Sequence, residues 1–333
     1  MNNLKDRVTI YEVAKASGVS LATVSRVINN QSNVTPETRA KVEATIARLG
    51  YKPSGLAQAL ATNKSTVIGV VIPSANYVYI SNVLNGIAEV AKEKGFAISL
   101  FSTAHSREDA LHMLEKVITS HVDGVIIFDD ELDEADVAKL SSYRVPTVVI
   151  NNRVEGEMTG CIVFGYEHHL ARILENKFKS GNNKKPIFLH VHNCGRLLAR
   201  VEKSFIKTCD EHNVEYSVIN ANDSYKRTYD DFFEYFKEHK SGYFIAYRDS
   251  IAAAVSNAAI DNGLKIPEDV EVISLIGTKY ANITRPTLSN MYIDMQEVGK
   301  RAMYMLIDLS NNELAQKTYK FETTYNKRQS TKE

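Results

Sequence analysis

The chain has 333 residues, 44% of them hydrophobic and 24% charged, which suits two or three soluble domains with sizeable cores. It has no run of about 18 apolar residues and no apolar stretch with a small-residue cleavage site near Met1, so neither a membrane span nor a secretory leader is predicted. The formal net charge is zero, and Cys161, Cys194 and Cys209 are odd in number and form no CxxC pair, which favours a reducing cytoplasm over a disulfide scaffold.

The zero charge is unevenly spread. Residues 1–62 hold eight Lys/Arg against four Asp/Glu, and the other 271 hold 32 against 36, so an anionic partner is expected for the head alone. The head reads as short helices. Thr9 is placed to cap a first helix with Glu12 completing a capping box, and Ile10, Val13 and Ala14 share one face. Gly18 suits a left-handed stop, and Ser20 is the next cap, before a helix with Val24, Val27 and Ile28 on its apolar face. Thr35 and Pro36 start a third helix, on which Val42, Ile46 and Leu49 would close a three-helix core. Two helices around a tight glycine turn make a helix-turn-helix. Leu21, Ala22, Thr23, Ser25 and Arg26 would then project from the second helix. Short side chains let it sit deep in a major groove, and Arg26 can bond guanine through two donors. Thr9, Ser20, Asn29 and Thr38 suit phosphate contacts, which set register.

The stretches "TIYEVAKASGVSLATVSRVINN" and "VTPETRAKVEATIARLGYKP" closely resemble the DNA-binding head of the lactose-repressor (LacI/GalR) family. The resemblance implies a sequence-specific regulator that binds double-stranded operator DNA as a homodimer, with Leu21, Ala22 and Arg26 at base-reading positions. It also implies that the next segment, "YKPSGLAQALATNKS", is a hinge that folds on the operator, with Leu56 and Ala57 near the DNA and Leu60 as a minor-groove wedge. Gly55 weakens that short helix. The expected division is a head over 1–52, a hinge over 53–64 and a body over 65–333.

From Thr66 strands and helices alternate. Strands are expected at 66–73, 96–101, near "VDGVIIFD" and "VPTVVINN", then at 186–193, 243–247 and 270–276. Helices are expected at 83–95, near 107–121, near 196–212 and near 250–262. The pattern predicts an α/β body of two doubly wound parallel-sheet subdomains, and it resembles the periplasmic-binding-protein-like body of the same family. The region 154–176 is expected to cross between the halves, and a ligand to sit in the cleft between them, at the carboxyl ends of the strands.

The cleft departs from what the family resemblance implies for a sugar site. Val201 and Ser204 stand where sugar-responsive members carry an arginine and a glycine, and Ile276 where they carry an aspartate, while Asp249 matches an acidic position. Sugar hydroxyls need fixed partners once they leave water. Arg196, Arg200 and Arg248 are candidates for an anionic, for instance phosphorylated, effector, and solvated surface arginines are an equal reading. Tyr77, Tyr79 and Tyr292 are candidates to stack on a ligand, with core or rim packing as the commoner role. A metal at His190, His192 and Cys194 is a costlier explanation than a strand end, and the adjacent His168 and His169 point apart. There is no P-loop, GxGxxG or GxSxG, so no enzyme and no cofactor is predicted. The reading is a cytoplasmic, allosteric regulator, a repressor of carbohydrate or carbon metabolism genes. The alternative, which the catabolite control branch of the family implies, is control by a phosphocarrier protein in place of a small molecule.

Overall fold

The computed structural model of the chain describes residues 8–53, 64–103, 106–128, 132–181, 184–192, 195–313 and 315–332. It comprises two compact units, Met1–Thr66 and Val67–Glu333.

The head is built from α1 (Ile10–Ser17), α2 (Leu21–Ile28) and α3 (Pro36–Leu49). Each starts at the hydroxyl cap expected of it. Thr9 and Glu12 form a reciprocal capping box, Ser20 accepts from the backbone of Thr23, and Thr35 accepts from that of Thr38. Gly18 ends α1 with φ +65°, a conformation that penalises any Cβ. Val13, Val24, Val27 and Val42 form the centre of the head, and Ile46, Leu49 and Ile28 pack against them. Burying each valine contributes about 1.5–3 kcal/mol.

The body carries strands β1 (Val67–Ile72), β2 (Ala97–Ser102), β3 (Gly124–Ile127), β4 (Thr147–Ile150), β5 (Thr159–Phe164), β6 (Pro186–Val191), β7 (Ser217–Ala221), β8 (Gly242–Arg248), β9 (Val270–Ile276), β10 (Ser289–Tyr292), β11 (Thr318–Phe321) and β12 (Thr324–Asn326). They form two six-stranded sheets. The first has the order β11-β5-β4-β3-β1-β2 and is parallel throughout. The second has the order β12-β10-β9-β8-β6-β7 and is parallel except where β12 meets β10. Strands such as β3, β4 and β9 are buried along their whole length, as parallel strands covered by helices on both faces should be.

The structure places a change of lobe inside the expected region 154–176 and narrows it. Most of that region is regular: β5 pairs with β4 in the first sheet, and the Tyr166–Lys179 helix packs on the Gly195–Glu211 helix of the second lobe. The change of lobe is confined to the neighbourhood of Gly165. The chain changes lobe twice more. The Met295–Ser310 helix after β10 packs in the first lobe, against the Val78–Lys94 helix, and β11 lies in the first sheet while β12 lies in the second. The Val78–Lys94 and Met295–Ser310 helices approach so closely that a Cβ on Gly299 would lie 2.0 Å from the Val83 carbonyl oxygen.

Candidate DNA-reading helix and ligand cavity

In the head, α2 turns Val24 and Val27 inward, and this orients the rest of the helix. Leu21, Ala22, Arg26 and Asn29 are exposed, while Thr23 and Ser25 are half-buried beside them. The exposed face therefore combines one apolar contact, one small residue and one long cation, which suits base edges in a major groove. The hydroxyl residues already make local bonds. Thr9 donates from its backbone and its hydroxyl to Glu12 Oε2 at 2.7 and 2.9 Å, which holds the Glu12 carboxyl below its ordinary pKa. The Ser20 and Thr23 hydroxyls lie 2.9 Å apart, as do those of Thr35 and Thr38. Asn29 Nδ2 donates to Ser25 Oγ at 3.4 Å. The Thr9, Ser20, Thr23, Thr35 and Thr38 atoms sit at helix starts, where orphan N–H groups and the dipole favour phosphate, whereas Asn29 caps the far end of α2, with Ser25 one turn before it. Two features escaped the sequence reading. Tyr11 is 70% exposed on α1. Arg39 donates to Asn30 Oδ1 at 2.9 Å and to the Gln31 carbonyl at 2.6 Å, and so fixes the turn after α2, where Asn30 adopts φ 57°. Leu56, Ala57 and Leu60 lie outside the described residues.

In the body, a cavity of about 600 Å3 opens at the carboxyl ends of β8 and β9 and beside the start of the Val78–Lys94 helix. It brings together Tyr79, Arg248 and Asp249 of the predicted residues, together with Tyr77 and Ile276. Tyr79 is largely buried. It stacks on Tyr77 at 5.5 Å between ring centroids and meets Phe128 edge-on at 6.1 Å. Asp249 is 2% exposed, and its Oδ2 accepts from Thr278 N and Oγ1, both at 2.6 Å, and from Ala281 N at 3.3 Å. It thus caps the short Tyr280–Ile283 turn that forms one wall. Arg248 is ion-paired with Asp223 and lies over the Tyr77 ring at 4.4 Å. Burial is the largest single influence and opposes its charge, but the Asp223 carboxylate together with the Tyr79, Tyr77 and Tyr247 hydroxyls outweighs it and keeps the Arg248 pKa above the ordinary value.

Arg200 is placed elsewhere. Its Nε donates to Glu167 Oε1 at 2.8 Å and its Nη2 to the Asn151 carbonyl at 3.1 Å, and it does not line the cavity. Arg196 is exposed, and Tyr292 lies 43% exposed on β10. The two apolar departures also separate. Ile276 is in the cavity wall, whereas Val201 is 1% exposed in the core. Ser204 Oγ donates to the Glu167 carbonyl at 3.1 Å. His190 and His192 meet edge-on at 5.0 Å, and His190 Nδ1 is 2.6 Å from Glu202 Oε2. Among the described residues no three His, Cys, Asp or Glu side chains are grouped to hold a metal. Cys194 lies outside them. Cys161 and Cys209 are buried, and desolvation pushes both thiols up, Cys209 to about 12, which makes them poor nucleophiles.

Comparison with known proteins gives consistent matches. Residues 9–54 match the model of bacterial regulatory proteins of the lacI family, and residues 187–331 match the periplasmic binding protein-like domain. The catabolite control protein A of Priestia megaterium is 30% identical over 317 residues, spanning 92% of this chain and 93% of the relative. That of Streptococcus mutans is 30% identical over 329 residues, spanning 93% and 94%. Among solved structures, the lac repressor dimer bound to operator and an anti-inducer superposes with a TM-score of 0.83 at 23% identity, covering 98% of this chain and 99% of that one. No helix among the described residues is long and apolar enough to cross a membrane.

Proposed function

The chain belongs to the lactose-repressor family of DNA-binding transcriptional regulators, and on that premise we propose that it represses carbon-metabolism genes by binding a palindromic operator as a homodimer whose affinity is set by a small molecule in the body's cavity. The observation that carries the proposal is the presentation of α2: its apolar side is locked in the head by Val24 and Val27, leaving Leu21, Ala22 and Arg26 outward. In this reading Leu21, Ala22 and Arg26 contact base edges. Thr9, Ser20, Thr23, Ser25, Asn29 and Thr38 follow the phosphates, and Leu56, Ala57 and Leu60 belong to a hinge that enters the minor groove.

A symmetric dimer requires a self-complementary face. Ile260 supports one, together with Tyr225, Tyr280 and Ile283 where the rim of the cavity meets the surface: all are large, apolar and substantially exposed, Ile283 at 63%, on helices that neighbour one another in the second lobe. The names of the catabolite control relatives support carbon metabolism as the regulated process. A second reading, which the resemblance to the catabolite control branch implies, is control by a phosphocarrier protein. A cavity of about 600 Å3, within the usual range of ligand pockets, favours the small molecule.

The test is selection of bound sites from random duplexes, followed by footprinting. The expected result is two inverted half-sites. Recovery of a single asymmetric site, or of no preferred sequence, overturns the proposal.

A further inference from the structure

One side of the cavity is closed by a contact between the lobes. Tyr77 precedes the Val78–Lys94 helix of the first lobe, while Asp223 and Arg248 follow β7 and end β8 in the second. The Tyr77 hydroxyl donates to Asp223 Oδ2 at 2.9 Å. Arg248 Nη2 donates to Asp223 Oδ1, and to the Asp223 carbonyl at 3.1 Å. The guanidinium lies over the Tyr77 ring. One carboxylate is thus gripped through both oxygens, by a cation on one side and a phenol on the other, as a ligand carboxylate would be.

The seat is more deeply built than its occupant. The Arg248 side chain is 11% exposed and that of Asp223 is 37%. Arg248 Nε and Thr284 Oγ1, both from residues of the cavity wall, are buried without a hydrogen-bond partner. Asp223 lies between β7, which ends at Ala221, and the helix that starts at Tyr225, so its side chain has a short path into water. The adjoining wall is apolar or aromatic at Tyr79, Ile276 and Tyr280.

We propose that Asp223 is an internal stand-in for the effector, and that the Arg248–Tyr77 seat takes the carboxylate of a small monocarboxylic acid with an apolar or aromatic body. The acid displaces the Asp223 side chain into solvent and bridges the lobes in its place. The inference rests on the cavity being the effector site. A single guanidinium matches one negative charge, whereas a phosphate dianion leaves the second uncompensated in a buried site. A neutral sugar finds no charged acceptor at Ile276, and of the Asp249 carboxylate only Oδ1 is left to it, because Oδ2 already accepts from three donors.

Asp223→Ala in the full chain empties the seat. Sodium acetate, compared with acetamide in sodium chloride at equal ionic strength, is expected to raise the melting temperature of Asp223→Ala by several degrees and to leave the wild type nearly unmoved. Phenylacetate is expected to bind Asp223→Ala about tenfold tighter than wild type by calorimetry, with no such gain for phenylacetamide, glucose or glucose 6-phosphate. Adding Arg248→Gln is expected to abolish both effects. Asp223→Asn, which keeps the shape and loses the charge, serves if the alanine variant does not fold. Equal acetate shifts in both proteins, or equal binding of phenylacetate and phenylacetamide, overturn the proposal. Acetate rescue with no effect of phenylacetate on operator affinity removes the effector reading and leaves the seat. An operator response to glucose 6-phosphate without acetate rescue removes the seat and leaves the effector reading.

Discussion

Replacing Glu271 with glutamine is expected to weaken the body strongly at neutral pH and less so in mild alkali. Glu271 is fully buried at the start of β9. Its Oε1 accepts from Lys177 Nζ and Lys184 Nζ, both at 3.1 Å, and its Oε2 from the backbone of Lys332 at 2.8 Å. Lys177 is itself only 7% exposed, with its ammonium 4.0 Å from the centroid of the Tyr243 ring. Glutamine keeps an acceptor but removes the countercharge, leaving two ammonium groups facing a neutral amide. Breaking a buried pair costs about 3–5 kcal/mol, and the retained acceptor places the expected loss near the lower figure. For a body of this size that lowers the melting temperature by roughly 6–12 °C.

The pH dependence has a definite sign. Burial holds the Lys177 pKa in the folded chain below its ordinary 10.5, and Glu271 partly offsets this. Between the folded and unfolded values the unfolded chain binds the extra proton, so stability rises with pH through that window. Without Glu271 the window extends further down. Glu271→Gln should therefore recover more stability than wild type between about pH 7 and about pH 9.5. Urea unfolding followed by circular dichroism at both pH values measures it. Equal midpoints for variant and wild type would refute the reasoning, as would a Glu271→Gln/Lys177→Met double variant no more stable than the single one.

Four further outcomes follow from the same structure. Arg26→Ala should weaken operator binding by about 1–3 kcal/mol per half-site and relax the preference at one base pair; gel shifts at fixed salt measure this, and unchanged affinity removes Arg26 from the base-reading set. Leu60→Ala should leave the melting temperature unchanged and reduce DNA bending in a circular-permutation assay, the reverse of a core residue's behaviour. Gly299→Ala places a methyl group 2.0 Å from the Val83 carbonyl oxygen, and should cost about 1–3 kcal/mol or more by thermal melting. Asp249→Ala removes the acceptor shared by Thr278 and Ala281 and should cost about 1.5–3 kcal/mol; a variant as stable as wild type refutes its capping role.

What was legible in the sequence was what the chain decides locally. The Thr9–Glu12 box, the Gly18 stop and the Thr35–Pro36 start are each made within a few residues, and the structure places them as expected. The Val78–Lys94 helix was expected only from residue 83, because Tyr77 makes no side-chain cap and "VYIS" is rich in β-branched and aromatic residues. β7 is a five-residue edge strand with alternating burial, too short for its periodicity to stand out, and β11 and β12 pair with strands more than 150 and about 35 positions away.

The cavity shows the same division on a larger scale. Its residue types were visible: tyrosines after the first strand, and arginine and aspartate at the end of a later one. Their pairing was not, because Tyr77 and Asp223 stand 146 positions apart and meet only when the two sheets are built and the lobes face each other. Arg200 and Arg248 look alike as letters near strand or helix ends. The fold gives one to Glu167 and Asn151 away from the cavity, and the other to a carboxylate at its edge. A charged residue's role in a cleft is set by which countercharge the topology delivers to it. Asp223, a loop residue with no motif around it, is therefore the residue on which the ligand chemistry of this body turns.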